Sequence, residues 1–416
     1  MKRYIYIIIG IVVAAVVAIL VLLFIKSRSS GTTTLPDETG SLPVVGTQTN
    51  TSAASGTSAE NNPSTILALP SSSSSSTPAG SGSGQTSIGS FGMLSTDPVL
   101  DYFVNAQNQI IAIQPTGSVI TISNGQSSVI STSSIDDIIS ASFSYDGKKI
   151  LVSFGSPSNP ETQLFNVASD TWTALPQGLQ SPQWSPTNYQ VAYLANAGTG
   201  RMSLSMINTA SLKSGVATLL TLYANDISLQ WLNKTLFVLS SKPSAYTNGS
   251  ILLFNSQNKS LTPIVLEDGG DESIWSHTAN PLGLVFSDGT SGQNPSLQLE
   301  TPSGNLLEQL NFLTLPSKCL FGSQASTSPT SYLPLYCGIP RSTSGFSSAH
   351  LPDDYNMMSI FTSDNIYEID TASGTTNDLF SDQTQNLDTS DLKIFNNTLF
   401  FVNRYDQKLY GLVVGQ

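Results

Sequence analysis

Beyond residue 95 the apolar positions fall into short runs divided by polar turns, such as ILVSF (150–154), VAYLA (191–195) and TLFFVN (398–403). Alternation within the runs is imperfect, which fits strands covered on both faces. The runs recur around an aromatic followed by a tight polar turn. Phe143-Ser-Tyr-Asp-Gly-Lys-Lys-Ile150 returns as Trp184-Ser-Pro-Thr-Asn-Tyr-Gln-Val191, with weaker echoes at Trp231, Trp275, Phe321 and Phe395. A period of about 44 residues filled with short strands predicts an all-β fold, a β-propeller.

Each repeat parses into four strands, a to d from the axis outward. In the first full unit strand a is IISASFS, strand b ILVSF, strand c ends in the polar turn after Leu164-Phe-Asn, and strand d is WTAL. Full units begin near residues 135, 179, 226, 272 and 317, the fifth stretched between 322 and 358. The N-terminal part adds VLDYFVNA, QIIAIQ and SVITIS; the C-terminal part adds DLKIF, TLFFVN and KLYGLVV. If the two ends form separate blades there are seven, and six if some of these strands are spurious. Trp184, Trp231 and Trp275 recur with the blade period, so they are expected to pack between neighbouring blades.

The chain before residue 96 reads differently. Tyr4 to Ile25 carries no charge, with Lys2 and Arg3 before it and Lys26 and Arg28 after it. As a helix it spans about 33 Å, enough to cross a bilayer core. Residues 1–26 are therefore expected to be a single-pass transmembrane anchor, the alternative being a cleaved signal peptide, whose apolar region is normally shorter and followed by a small-residue cleavage site. Residues 27–95 are rich in Ser and Thr, include the run Ser71 to Ser76, and predict a disordered linker. Residues 96–416 form the propeller. The basic flanks nearly tie; a Lys- and Arg-poor folded part and cysteines able to pair favour a cytoplasmic N-terminus and an extracytoplasmic propeller at the cell membrane.

The composition narrows the chemistry. Only 11% of residues are charged and the formal charge is −12, so nucleic acid is not expected as a partner because little would neutralise phosphates. Two cysteines and two histidines, His277 and His350, do not make a zinc site. Glu267-Asp-Gly-Gly-Asp-Glu272 offers oxygen ligands without the spacing of a known calcium loop. No cofactor and no metal is expected.

The blocks S-Y-D-G-K-K-I and S-P-T-N-Y-Q-V resemble the WD40-like repeats of TolB-type propellers, which also occur in prolyl-oligopeptidase-type peptidases. The resemblance covers about residues 96–416, and the units at 143 and 184 carry it. Those peptidases have a separate α/β-hydrolase domain; here no residues remain for one and no G-x-S-x-G occurs. The layout is similar to uncharacterised membrane-anchored propeller proteins of bacteria. TolB-like proteins act through protein contacts, so the resemblance implies a protein-binding role.

Two constellations stand out. Cys319 and Cys337 fall on neighbouring predicted strands and suit a disulfide, two buried free thiols being the alternative. The predicted d-to-a connections carry Asp136, Asp137, Asp226, Glu267, Asp268, Asp271, Glu272, Asp382, Asp388 and Asp391, whereas the a-to-b and c-to-d turns carry Lys148, Lys149, Lys213, Lys234 and Lys259. This predicts an acidic, partner-binding face opposite a more basic one, a field able to steer a basic protein or gather cations; solvated loop carboxylates are the plain alternative. The sequence thus predicts a non-enzymatic, membrane-tethered propeller that binds a protein or surface polymer. Its rivals are a propeller-type lyase or glycan hydrolase with carboxylates around the channel, and a structural part of an envelope or secretion assembly.

Overall fold

The computed structural model describes residues 90–288, 295–323 and 333–414. Within them, seven antiparallel four-stranded sheets follow one another. Blade 1 is β2 (Asp101–Val104), β3 (Ile110–Ile113), β4 (Val119–Ser123) and β5 (Gln126–Ser131). Blades 2 to 6 begin with innermost strands β6 (Ile138–Phe143), β10 (Gln180–Trp184), β14 (Ile227–Trp231), β18 (Glu272–Trp275) and β22 (Cys319–Phe321). Each continues through three more strands, so that β25 (Thr376–Phe380) is the outer strand of blade 6.

Blade 7 closes the ring. Its inner strands are β26 (Thr389–Phe395), β27 (Thr398–Asn403) and β28 (Lys408–Val413), and its outer strand is the first of the chain, β1 (Phe91–Met93). Phe91 stands opposite Leu412 and Met93 opposite Tyr410. Pairing the two ends of the described chain in one sheet covers what would otherwise be an open edge of β28.

Burial explains the apolar runs. Second strands such as β7 (Lys149–Phe154) and β11 (Gln190–Asn196) sit inside their sheets with both faces covered, so Ile150, Leu151, Val152 and Val191, Ala192, Leu194 are buried in succession. Seven buried clusters result, one at each junction between neighbouring blades. The tryptophans serve these junctions. Trp184 packs on Leu151 and Leu164 of blade 2 and donates Nε1–H to the Ser142 carbonyl at 3.0 Å. Trp231 packs on Leu194 and Leu204 of blade 3, and Trp275 on Val238 and Leu253 of blade 4.

The two clear repeat turns each use a serine hydroxyl to accept a backbone amide of the turn. Ser144 donates its hydroxyl to Asp146 and accepts the Lys149 amide, and Ser185 accepts the Thr187 amide at the equivalent place. Gly147 has φ +70, and a Cβ there would lie 2.1 Å from the Phe103 ring, so the turn needs glycine for both backbone and space. Tyr189 of the second turn donates to Asp146 of the first at 2.6 Å, tying the repeats together.

Three sequence expectations change. The transmembrane helix is corrected: the only α-helix among the described residues is one turn, Asp353–Asn356, and none there is long and apolar enough to cross a membrane. Tyr4–Ile25 lies outside the described residues, so the fold stands as an all-β seven-bladed propeller, and the single-pass, extracytoplasmic placement is withdrawn. Most of the 27–95 linker also lies outside the described residues, but its last part does not: Phe91–Met93 is a strand, and Leu94 and Ser95 are buried. Blade 1 has a fourth strand, β5, absent from the three-strand reading because QSSVIS has little apolar character.

Candidate functional site

The strand order sorts the loops. Connections from d to a and from b to c open on one face of the ring, and a-to-b and c-to-d turns on the other. Asp136, Asp137, Asp226 and Glu267 are exposed on the first face, with Asp268 and Asp382 half-buried there. Lys148, Lys213, Lys234 and Lys259 are exposed on the second, and Lys149 is half-buried over the Tyr189 ring. Lys242 is an exposed cation of the acidic face, and it already meets Asp226 at 3.3 Å.

These acids also answer a backbone demand. Asp137 and Asp226 stand immediately before innermost strands with φ of 53° and 50°, and Glu267 and Asp391 have φ of 58° and 46°. The short Asp side chain tolerates this left-handed region better than apolar ones, an argument that does not extend to Glu267. The carbonyls of Asp137 and Asp226 then accept the amides of Gly155 and Lys242, which follow the second strands of their blades. The position therefore selects Asp locally while the ring collects such positions on one face.

Asp271, Glu272 and Asp388 depart from the predicted acidic surface: they are 2%, 9% and 0% exposed. Asp388 belongs to a buried ionic cluster between blades 6 and 7. Lys318, at the end of a 3₁₀ turn (Pro316–Lys318), lies 2.7 Å from Asp364 and 2.5 Å from Asp388. Arg404 reaches the other Asp388 oxygen at 2.9 Å, and Tyr355 and Thr362 donate hydroxyls to Asp388. Burial opposes ionisation of Asp388, but the charge and hydrogen bond of Lys318 and the charge of Arg404 outweigh it and hold the carboxyl below its ordinary range. Burial likewise opposes the Lys318 charge, and Asp364, Tyr355 and Asp388 more than offset it, raising its pKa.

Glu272 accepts the Ser317 amide at 2.6 Å, and burial raises its pKa. Asp271 is different. Neither carboxylate oxygen has a hydrogen-bond partner, and burial first, then Asp268 and Glu300, push it up to about 7. Among the described residues no group of three or more His, Cys, Asp or Glu is arranged to hold a metal ion, Glu267–Glu272 included.

On the innermost strands the carboxylates are engaged. Lys393 contacts Asp101, lies 3.3 Å from Asp391 and sits 4.3 Å from the centre of the Tyr102 ring, joining blades 7 and 1. Elsewhere the inner strands mix polar and apolar side chains. A cavity of ≈ 320 Å³ between β6, β10 and β14 is lined by Ser140, Ser142, Gln180 and Gln183 together with Ile139 and Pro182. Both β6 and β10 carry register shifts there, between Ile138 and Ser140 and between Gln180 and Gln183, and such bulges re-aim side chains.

Cys319 and Cys337 stand directly opposite each other on β22 and β23 (Pro334–Pro340), with Cα atoms 4.1 Å apart, and are joined in a disulfide. His277 is exposed and its Nδ1 meets the Leu232 carbonyl at 2.9 Å. The sequence did not single out Lys318, Tyr355 or Arg404. Only the insertion at 322–358 hinted that blade 6 carries something extra; residues 324–332 lie outside the described residues, and the b-to-c segment is 341–363.

No protein-family model matches the sequence, and no curated protein matches it. Solved propellers are similar in fold. The β-propeller domain of the Trilobed protease from Pyrococcus furiosus is 9% identical, with 76% of this chain and 95% of that chain covered and a TM-score of 0.48. The Cps50 (Swd1) β-propeller domain from Myceliophteria thermophila is 9% identical over 78% of this chain and 100% of that one, TM-score 0.48. TolB from Acinetobacter baumannii is 13% identical over 77% and 63%, TM-score 0.34. At these values the neighbours carry no argument about activity or ligand.

Proposed function

We propose that this propeller is a non-enzymatic binding module or scaffold whose acidic face receives a cationic protein segment. The observation behind the reading is an unequal sharing of charge: Asp136, Asp137, Asp226 and Glu267 are exposed on one face and Lys148, Lys213, Lys234 and Lys259 on the other, with Arg201 and Lys242 also on the first and Asp170 on the second. Such a field orients an incoming partner and speeds encounter at low ionic strength. The innermost carboxylates Asp101 and Asp391 are bound to Lys393, which disfavours the paired free carboxylates a lyase or glycan hydrolase would use.

The test is capture of oligolysine and oligoglutamate peptides by the full chain across a salt series. Oligolysine is expected to bind with affinity falling as salt rises, and Asp136→Asn/Asp137→Asn/Asp226→Asn/Glu267→Gln to weaken it several-fold. Salt-insensitive capture, or equal binding of oligoglutamate, would remove the reading. A second reading, a neutral surface polymer, draws on the cavity between β6 and β10, where Ser140, Ser142, Gln180 and Gln183 stand among apolar side chains; saturable binding of an uncharged glycan, lost in Gln183→Ala, would favour it.

A further inference from the structure

We propose that the apolar tip of the 341–363 insertion, with Tyr405 beside it, is the docking site for the hydrophobic anchor of that cationic segment. The inference rests on the acidic-face reading and adds where the partner is gripped and what it must carry. The insertion is the b-to-c connection of blade 6, on the same face as Asp136, Asp226 and Glu267.

Its inner half is buried and its outer half is not. Phe346, Leu351 and Tyr355 join the core shared by blades 5 and 6. Met357 and Met358 follow at 64% and 54% exposure, and Phe361 at 42%. Tyr405, 45% exposed on the neighbouring blade, stacks on Phe361 with ring centres 5.2 Å apart. A cavity of ≈ 380 Å³ runs beside them, lined by Phe346, Ile360, Phe361 and Arg341. Large exposed apolar side chains gathered in one patch mark contact sites more than scattered ones do. Methionine and aromatic residues are also the types enriched in protein interfaces, methionine because it adapts its shape.

The tip stands on a fixed base. Arg404 donates to the Tyr355 carbonyl at 2.6 Å, and its guanidinium lies 3.6 Å from the centre of the Tyr355 ring and 5.1 Å from that of Phe361. Tyr355 and Thr362 are bonded to the buried Lys318–Asp388 pair, and Asp353 accepts the Ala245 amide at 2.6 Å from blade 4. A base held from blades 4, 6 and 7 presents the apolar side chains with little ordering left to lose on binding.

Charge selects the occupant. Asp353, Asp354, Asp382 and Asp406 are partly exposed around the tip. Two of the nearby cations are committed, Arg404 to Asp388 and Arg341 to the carbonyls of Ser363, Asp382 and Gln385, which leaves Lys408 against the four carboxylates. A segment combining Lys or Arg with an apolar or aromatic side chain satisfies both features, whereas the acidic face of a second copy of this chain would repel.

A random dodecapeptide display library panned at low salt on the immobilised full chain tests this. Enriched peptides are expected to be cationic and to carry an apolar residue. The Met357→Ser/Phe361→Ser variant is expected to weaken them about tenfold, a loss of about 1.4 kcal/mol, while retaining oligolysine binding. Met358→Asn/Tyr405→Ser repeats the test if the first pair fails to fold. Cationic peptides without apolar preference, or with affinity unchanged in both variants, overturn the anchor and leave the acidic-face reading standing. Neutral or acidic peptides, or no enrichment, overturn both. Self-association of the full chain in sedimentation, abolished by either variant, assigns the tip to a second copy and overturns the proposal.

Discussion

Lys318 and Asp388 meet at 2.5 Å in the body of the propeller with neither side chain exposed. They are 70 residues apart in sequence and sit on successive d-to-a connections. Asp364, Arg404, Tyr355 and Thr362 complete the coordination of the pair, so the Lys318 and Asp388 charges are each paired and hydrogen-bonded, while Asp364 Oδ1 is left without a partner. That pairing decides the energetics. Removing one partner strands the others as buried, unpaired charge, which costs about 3–5 kcal/mol. Lys318→Met is therefore expected to lower unfolding free energy by about that amount in a denaturant titration, and Asp388→Asn by a similar amount. Wild-type stability in either variant would show that the cluster is hydrated or relaxed.

The pH dependence of that cluster has a definite sign. Asp388 has a depressed carboxyl pKa in the folded state. Its contribution is complete above the ordinary carboxylate range and is lost as pH falls through the lowered folded value. Acid titration of wild type and Asp388→Asn is expected to converge at the lowest pH at which both remain folded.

Asp271 runs the other way. Its folded pKa is raised to about 7, because burial, Asp268 and Glu300 all disfavour the charge and no donor compensates. Between the ordinary Asp value and about pH 7 the unfolded chain releases a proton that the folded chain retains, so stability falls as pH rises through that window. Asp271→Asn removes the effect. The variant is expected to gain on wild type on the order of 2–4 kcal/mol between pH 4 and pH 8, whatever its absolute stability. Parallel melting curves at pH 5 and pH 8 for the two proteins would refute the assignment.

Much of the blade pattern was legible because strand b is covered on both faces: Ile150–Val152 and Val191–Leu194 could not be loops without exposing apolar surface. The aromatics at the blade period were readable for the same reason, since Trp184, Trp231 and Trp275 fill equivalent junctions. Outer strands gave weaker signals. β5 and β1 face solvent on one side, and Gln126–Ser131 and Phe91–Met93 are strands because of what pairs with them. On the acidic face, local sequence identified Asp137 and Asp226, whose left-handed backbone is a property of their own turn. It misplaced Asp388 because burial there depends on Lys318 and Arg404, and no local pattern announces a partner so distant in the chain.

Gly147 tests the repeat turn itself. Alanine there would strain a backbone at φ +70 and drive its methyl into Phe103 of the preceding blade. Gly147→Ala is expected to destabilise by about 2–4 kcal/mol, combining left-handed strain with overpacking. The double variant with Phe103→Ala separates the two, because removing the ring relieves the clash and leaves the backbone cost of about 1 kcal/mol. A measured coupling energy near zero in that cycle would mean that the turn moves instead of pressing on the ring.

The boundary of the propeller gives the last prediction. A chain cut to begin at residue 96, where the sequence places the domain start, lacks β1 and leaves β28 with an unpaired edge. It also removes Leu94 from the blade 7–blade 1 core and Ser95, whose hydroxyl accepts the Leu409 amide at 2.9 Å. A chain beginning at residue 90 keeps all three. The longer fragment is expected to be monomeric and to melt cooperatively. The shorter one is expected to melt several degrees lower and to self-associate through the exposed edge. Light scattering and calorimetry on the two fragments decide the matter, and identical behaviour would show that the three residues of β1 contribute nothing to holding the ring closed.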